Sequence, residues 1–468
     1  MHKPNVILIS IDTLRADHLS CYGYQQKTTP NIDKIACEGT IFKQNYSTGV
    51  WTPPAHASML TGLYVSEHGV YGERRLSSDI PTTAEKLREH GYQTIGLVNN
   101  SQVGELVGLD RGHETFIEVW KGEKPRSTLE RIAKGVVRRA RRKIGYEDMG
   151  ASRTNRLFKE WIENHKDKNR PFYAFLHYIE PHNPLDPPRP YKNKHLDRNT
   201  ILSADMNKVK KVAQNPLICF IEDIPLGNNE IEVLKGLYDA EIEYTDSKIG
   251  EIADILKRNQ LYDETMIIIT ADHGEHFGEH GLWSHTASLH KEVLHIPLII
   301  KYPRGVDYLK EVNEFTQLVD IFPTVMEIAG VSLDKLYTSG VSLMYGRDIE
   351  NNYHNFIFAE WEGRIPYYIQ SKAKESGRPV DFNKFTRQMA TIQDKQYKYI
   401  WKSDGSVELY DITNGKEEIQ DIAVNRDIID HMHHELFRRK KPLEDAQKGA
   451  TRSVDEEIAA NLTALGYM

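Results

Sequence analysis

Short apolar runs recur along the chain at wide intervals, with helix-patterned polar segments between them. The runs are rich in β-branched and aromatic residues and predict buried strands at 6–11, 94–98, 172–178, 266–270 and 296–300. Helical spacing of apolar positions predicts helices at 30–37, 83–90, 155–164 and 231–256. Buried strands that alternate with helices indicate an α/β fold, with a largely parallel central sheet flanked by helices.

The pattern changes after about residue 390. Two strand-like stretches, 397–401 and 407–412, flank the turn residues Asp404 and Gly405, which is typical of a β-hairpin. A polar, helix-patterned tail follows. We therefore predict an α/β catalytic domain at 1–390 and a small C-terminal antiparallel β subdomain at 391–468, containing the hairpin and the helical tail.

One segment is strongly basic. Lysine and arginine cluster between Lys121 and Lys143, with apolar residues at helical spacing among them, which predicts a basic helical insertion at about 121–149. Two interpretations stay open: a solvated basic helix, or a surface helix that makes peripheral contact with anionic lipid or a polyanionic substrate.

Composition and charge exclude several classes of protein. The 468 residues are 27% charged and 39% hydrophobic, as in ordinary globular proteins, and the net charge of -7 argues against a partner that is a nucleic-acid polymer. The three cysteines, Cys21, Cys37 and Cys219, form no disulfide framework. The chain starts without a signal-peptide pattern and has no apolar run near the roughly 18 residues of a membrane span, so we expect a cytoplasmic protein.

Two acidic residues lie where α/β proteins place their ligands. Asp12 ends the first predicted strand and Asp272 follows the fourth, and the carboxyl ends of parallel strands meet at one edge of the sheet. His273 adds an imidazole nitrogen beside the carboxylate oxygen, and Gly274 lets the backbone turn closely. These residues predict a metal site.

A second candidate site surrounds Thr52. Threonine is a common N-cap, proline is favoured at the first helical position, and glycine commonly ends a helix, so Thr52, Pro53 and Gly62 predict a short helix capped by Thr52. The amino end of a helix attracts phosphate or sulfate oxygens.

Several blocks together resemble the sulfatase family of the alkaline phosphatase superfamily. They occur in family order and cover nearly the whole chain: residues 5–17, 29–31, the window around Thr52, 177–182, 272–275 and 318–324. The resemblance implies the sulfatase-type α/β fold.

The resemblance also implies roles for single residues. Asp12, Asp272 and His273 match metal ligands, and Thr52 matches the nucleophile, which also touches the metal. His182 and His285 match substrate-contacting positions, with His285 placed as the proton donor to the leaving group. We expect at least one divalent ion, Ca²⁺, Mg²⁺, Mn²⁺ or Zn²⁺. A second zinc ion held by histidines such as His182 and His285 stays open as an alternative.

The departures from the family change the expected chemistry. The family motif Cys-x-Pro-x-Arg, or its serine form, supplies formylglycine, and here the matching stretch runs from Thr52 to His56, so formylglycine cannot form. The family arginine is replaced by His56, which we expect to contact substrate as a cation; the alternative is a neutral residue that only makes hydrogen bonds or packs. Thr13 replaces the second acidic residue that usually follows Asp12.

A threonine nucleophile favours phosphorus over sulfur. Water can hydrolyse a phosphothreonine, whereas formylglycine sulfatases release sulfate by an elimination that threonine cannot perform. We predict hydrolysis of a phosphodiester or phosphomonoester, in a small molecule or in a glycan- or lipid-linked substrate. The alternatives are a phosphoethanolamine- or phosphoglycerol-type transferase, a sulfate-ester hydrolase that works without formylglycine, and a non-catalytic binding homologue. Assembly into a homo-oligomer also stays open.

Overall fold

The structure is a computed structural model that describes residues 3–122, 145, 147–344, 353–413, 418, 425–443, 446 and 449–467. The predicted basic insertion at 121–149 lies largely outside the described residues, so its two interpretations stay as predictions.

Ten of the strands that the structure describes belong to the main body of the molecule. They are β1 Asn5–Ile11, β2 Thr40–Tyr46, β3 Gln93–Val98, β4 Thr115–Glu118, β5 Phe172–Tyr178, β6 Thr265–Ala271, β7 His276–Phe277, β8 Trp283–Ser284, β9 Leu298–Lys301 and β10 Glu311–Gln317. Eight of them form one sheet in the order β10-β2-β9-β6-β1-β5-β3-β4, and β7 pairs with β8 in a separate ribbon. Within the large sheet, β9 runs antiparallel to β2 and β6, and the other pairs are parallel. The predicted, largely parallel sheet is confirmed.

Helices cover this sheet. Those described are Pro30–Cys37, Thr52–Thr61, Val65–His68, Thr83–Glu89, Ala151–Asn164, Arg198–Ser203, Met206–Gln214, Asn228–Arg258, Lys291–Leu294, Ile321–Ile328, Tyr367–Ser376, Asn383–Thr386, Arg426–Arg439 and Glu456–Ala464. The helix Thr83–Glu89 begins with a capping box, in which the Thr82 hydroxyl accepts from Glu85 N and the Glu85 side chain accepts from Thr82 N. The four helices predicted from apolar spacing are confirmed to within a few residues.

The sheet centre brings distant parts of the sequence to one edge. Strands β1, β5 and β6 are buried along their whole length, which explains why their sequences are continuously apolar. Ile11, the last residue of β1, pairs with Tyr178 on one side and Ala271 on the other. Because adjacent strands lie about 4.8 Å apart, this register sets Asp12 beside Asp272.

A second, smaller sheet lies in the C-terminal part. Its strands, β11 Ile357–Trp361, β12 Met389–Gln393, β13 Tyr397–Lys402 and β14 Val407–Asp411, are antiparallel and in sequence order. The predicted hairpin is confirmed as β13–β14, with Gly405 in the left-handed conformation at φ 87°. Since β11 and the start of β12 precede residue 391, this sheet includes residues on both sides of the predicted boundary, which stays a prediction.

Residues 449–467 contact the part of the molecule that contains the large sheet. Arg75 N donates to Ala450 O (2.9 Å), and Ser101 N donates to Asn461 Oδ1 (3.3 Å) at the helix Glu456–Ala464. Within the described part of the chain, no helix is both long enough and apolar enough to cross a membrane.

Candidate active site

Three predicted metal ligands come together at the carboxyl edge of the sheet. The donor atoms of Asp12, Asp272 and His273 lie within 4.8 Å of one another, and all three side chains are fully buried. Asp12 Oδ1, Asp272 Oδ2 and His273 Nε2 have no hydrogen-bond partner. A buried polar atom without a partner costs free energy, so three such atoms facing one another fit a bound cation.

The other polar atoms of these carboxylates are held by hydrogen bonds. Asp272 Oδ1 accepts from the backbone N–H groups of Thr13 (3.2 Å) and His273 (2.9 Å). Asp12 Oδ2 accepts from Asn100 Nδ2 (3.2 Å) and lies 3.5 Å from His177 Nε2. One oxygen of each carboxylate is therefore fixed, and the other stays free.

The protonation of the cluster suits a metal. Burial and the neighbouring His285 hold the pKa of His273 well below its usual range, and its Nδ1 donates to Gly274 O (3.0 Å), so the Nε2 lone pair is available. Burial and the charge of Asp12 raise the pKa of Asp272 well above its ordinary value. A divalent cation would remove that repulsion, which is a further reason to place one here.

Thr52 lies at the start of the helix Thr52–Thr61, but it is not the cap that the sequence predicted. Trp51 is the N-cap residue, and the cap has no side-chain hydrogen bond. Pro53 and Pro54 have no N–H groups, so a hydroxyl cap would gain little, and the first turn offers few donors to an anion. The Thr52 hydroxyl instead makes a hydrogen bond of 3.0 Å with the hydroxyl of Tyr467. The predicted helix end at Gly62 is confirmed, with φ 73°.

His56 lies behind Thr52 and is fully buried. Its Nδ1 donates to Thr52 O (2.8 Å), and its Nε2 accepts from Ser10 Oγ (2.9 Å). Burial and His177 lower the pKa of His56 to about 3. Both ring nitrogens are used inside the protein, which favours the neutral, hydrogen-bonding alternative over the cationic one.

His182 and His285 face each other on the other side of Thr52, with ring centroids 5.3 Å apart. His182 Nδ1 donates to Asn183 O (2.7 Å), and His182 Nε2 is 3.1 Å from the Tyr467 hydroxyl. The ring of His285 lies 4.4 Å from that of His273, and its Nδ1 is 3.3 Å from Glu275 Oε2. Burial lowers the pKa of His285 to about 4. The structure thus brings both predicted histidines to the metal cluster and the nucleophile.

A pocket of about 460 Å³ opens beside these histidines. Its walls include Trp51, Trp361, Leu217, Arg364 and Tyr467. The Arg364 guanidinium lies 4.2 Å from the centroid of the Trp51 ring. The aromatic walls with one cation suit a substrate with apolar and polar parts.

A second group of ligand-type side chains, His280, His290 and Glu418, also lies within 4.8 Å among the described residues. Glu418 accepts from His290 Nδ1 (3.0 Å) and from Lys398 Nζ (2.8 Å). Because the Lys398 ammonium already neutralises this carboxylate, we interpret the group as an ion-pair network that joins β13 to the main body.

The sequence reasoning missed four residues that contact the site. His177 and Glu275 stand in the quoted motifs but were given no role, and Asn100 follows β3 at the same sheet edge as Asp12. Tyr467 is 415 residues from Thr52, and no local pattern links the two.

Comparisons with known proteins agree with the resemblance seen in the sequence and with the fold. A sequence profile of the sulfatase family matches residues 4–331, and a profile described as N-sulphoglucosamine sulphohydrolase, C-terminal, matches residues 278–442. The chain is 25% identical over 448 residues to a choline-sulfatase of Rhizobium meliloti (strain 1021), covering 90% of this chain and 83% of that protein. It is 26% identical over 491 residues to an arylsulfatase of Clostridium perfringens (strain 13 / Type A), covering 96% of each. The crystal structure of a phosphonate monoester hydrolase of Agrobacterium radiobacter is similar, with a TM-score of 0.72 and 22% identity, covering 93% of this chain and 95% of that one.

Proposed function

This chain belongs to the sulfatase family, and on that basis we propose that it is a metal-dependent ester hydrolase whose nucleophile is Thr52. One observation carries the proposal. The Thr52 hydroxyl meets Tyr467 and, through it, His182. Asp12 and Asp272, two of the three residues with unpartnered atoms, lie near enough to Tyr467 for their charges to add to burial in raising its pKa. An alcohol nucleophile, a cation site and histidines able to move protons are the groups that ester transfer requires.

Asp12, Asp272, His273 and Thr52 would hold the metal. Two carboxylate oxygens and a hydroxyl are hard ligands that suit Ca²⁺, Mg²⁺ or Mn²⁺, and the imidazole also admits Zn²⁺. When bound, the ion would supply positive charge for the developing oxyanions. The neutral His182 and His285 could also serve a second zinc ion, which stays an alternative.

Each side chain at the site has its own role in the proposed reaction. Thr52 Oγ attacks the ester phosphorus, and the P–O bond to the leaving alcohol breaks. His285 gives the leaving oxygen a proton from its protonated form, which is the minor form above its pKa of about 4, and water then hydrolyses the phosphothreonine. His56 takes no proton, and it holds the backbone carbonyl of Thr52.

We propose phosphodiesters or phosphomonoesters of small molecules, glycans or lipids as substrates. Threonine at position 52 supports this choice, because water can hydrolyse a phosphothreonine by attack at phosphorus. A second candidate is hydrolysis of sulfate esters, favoured by the similarity to a choline-sulfatase and an arylsulfatase. A transferase would use the same phosphothreonine with an alcohol in place of water.

We also propose a cytoplasmic location for the chain.

Turnover of matched aryl esters tests the proposal. A phosphodiester, a phosphomonoester and a sulfate ester of the same phenol would be assayed with Ca²⁺, Mg²⁺, Mn²⁺ or Zn²⁺. We expect one of the two phosphate esters to be hydrolysed at least about tenfold faster than the sulfate ester. A tenfold ratio of rates corresponds to a difference of only about 1.4 kcal/mol in the activation free energy. Mass spectrometry after an acid quench should find phosphate on Thr52.

Thr52→Ala is the matched control and should be inactive towards all three esters. Faster turnover of the sulfate ester would favour the second candidate. Product formed only when an acceptor alcohol is added would indicate a transferase. Wild-type protein inactive with every metal and ester would support a non-catalytic homologue.

A further inference from the structure

The last residues of the chain form part of the active site. After the helix Glu456–Ala464, Leu465, Gly466 and Tyr467 line the pocket that also contains His182 and His285. Thr52 and Tyr467 are 415 positions apart in the sequence, so only the tertiary fold brings them into contact.

Several contacts fix this segment in place. Asn183 Nδ2 donates to Leu465 O and Asn215 Nδ2 donates to Gly466 O, each at 3.4 Å. Tyr467 N donates to Leu462 O (2.8 Å). Gly466 has φ 79°, and a Cβ there would lie 2.5 Å from Asn215 Nδ2, so only glycine fits. The segment is therefore anchored on both sides of the turn that presents Tyr467.

The direction of each hydrogen bond around Tyr467 follows from its neighbours. His182 Nδ1 lies 2.7 Å from the carbonyl oxygen of Asn183, so Nδ1 carries the proton and Nε2 of the neutral ring is an acceptor. The Tyr467 hydroxyl, 3.1 Å away, must donate to that Nε2. Its oxygen is then free to accept from Thr52 Oγ at 3.0 Å. A directed chain runs from Thr52 through Tyr467 to His182.

We propose that Tyr467 is a catalytic residue that relays the proton of the Thr52 hydroxyl to His182. As Thr52 Oγ bonds to phosphorus, its O–H bond breaks and that electron pair stays on Oγ. The proton passes to the Tyr467 oxygen, while the Tyr467 proton passes to His182 Nε2. The leaving alcohol takes the electron pair of the broken P–O bond. This inference rests on the proposed role of Thr52 as the nucleophile.

A double-mutant cycle tests the relay. Tyr467→Phe and His182→Gln should each lower kcat by about 10²- to 10³-fold, within the range of general-base contributions, with KM changed less than about threefold. Because both act through one chain, the double variant should be no more than about threefold slower than the slower single variant. Tyr92→Phe is the control: it also removes one tyrosine hydroxyl, here from a fully buried ring whose partner is Pro4 O at 3.0 Å, at the opposite edge of the sheet. It should keep wild-type kcat.

Three outcomes would overturn the relay. The first is Tyr467→Phe with kcat within about threefold of wild type. The second is a double variant in which the two losses multiply, since residues that act separately contribute separately. The third is a rise in kcat on Tyr467→Phe, which would mean that the tyrosine obstructs the site.

Orthovanadate binding gives a readout that needs no turnover. Vanadate forms a five-coordinate adduct with a nucleophilic oxygen, and calorimetry measures its affinity in the presence of the most active metal, or of Mn²⁺ if none is active. Thr52→Ala and Tyr467→Phe should each weaken binding at least about tenfold, as expected for a lost hydrogen bond to a charged group. If both do so while wild-type protein hydrolyses no ester, the hydrolase proposal fails and the role of Tyr467 stands. If Tyr467→Phe binds vanadate like wild type, or wild type does not bind it, the relay fails.

Discussion

His56→Gln tests whether the residue behind the nucleophile acts as a cation or as a neutral anchor. His56 is fully buried, and its two ring nitrogens make hydrogen bonds with Thr52 O and Ser10 Oγ. Burial lowers its pKa to about 3, against about 6.5 in an unfolded chain. On acidification the unfolded state therefore binds the proton first. The stability that neutral His56 contributes is complete above about pH 6.5 and is lost as the pH falls towards its folded pKa.

The size of this effect follows from the two pKa values. At about pH 5.5, roughly ten-elevenths of an unfolded histidine is protonated, and the free energy of that protonation is RT ln 11, about 1.4 kcal/mol. At about pH 7.5 the same contribution is below about 0.1 kcal/mol. Glutamine does not titrate. The free energy of unfolding of wild type relative to His56→Gln should thus fall by about 1.4 kcal/mol between the two pH values.

Urea denaturation of both proteins at the two pH values measures this difference. The variant itself will be less stable at both, by about 1–3 kcal/mol, because glutamine cannot serve both partners of His56. A pH–rate profile completes the test, and we expect the alkaline limb of the profile to be the same in both proteins. A limb that vanishes in His56→Gln, or a stability difference that rises rather than falls on acidification, would show that His56 is charged in the folded state and would refute the reasoning. A stability difference that does not change with pH would show that burial does not lower the pKa of His56, and would refute it as well.

Three further changes test the site and its support. Thr52→Ala should abolish turnover yet lower the free energy of unfolding by only about 1–2 kcal/mol, the sum of one hydrogen bond and one buried methyl group; residual turnover near wild type would exclude Thr52 as nucleophile. Asp272→Asn should weaken metal binding, measured by calorimetry, by more than the roughly 10- to 100-fold typical of an outer contact, and unchanged affinity would place the ion elsewhere. Lys398→Met removes the lysine from the buried carboxylate of Glu418, whose other oxygen keeps its hydrogen bond from His290, and should cost about 3–5 kcal/mol in urea denaturation. The Lys398→Met, Glu418→Gln double variant should recover part of that, and equal losses would contradict the pairing.

Much of the fold is determined locally. Strands β1, β5 and β6 are buried on both faces, so their sequences are continuous apolar runs that stand out without any partner in view. Strands β2, β4 and β10 were missed because they are only partly buried and mix polar with apolar residues. The metal cluster was predictable for a related reason: Asp12 and Asp272 directly follow strands whose carboxyl ends must meet.

The tertiary structure determined those features of the site that depend on contacts between residues far apart in the sequence. The sequence predicted a capping role for Thr52, but in the fold the Ala55 N–H donates to Trp51 O, and the Thr52 hydroxyl bonds to Tyr467. Whether His56 is charged depends on its burial against Ser10 and Thr52, which the identity of residue 56 does not reveal. Tyr467 reaches the site because residues 449–467 fold back over the main body. Its turn is local, formed by Gly466 and the Tyr467 N–Leu462 O bond, but the place of that turn in the molecule is set by contacts with residues more than 250 positions away.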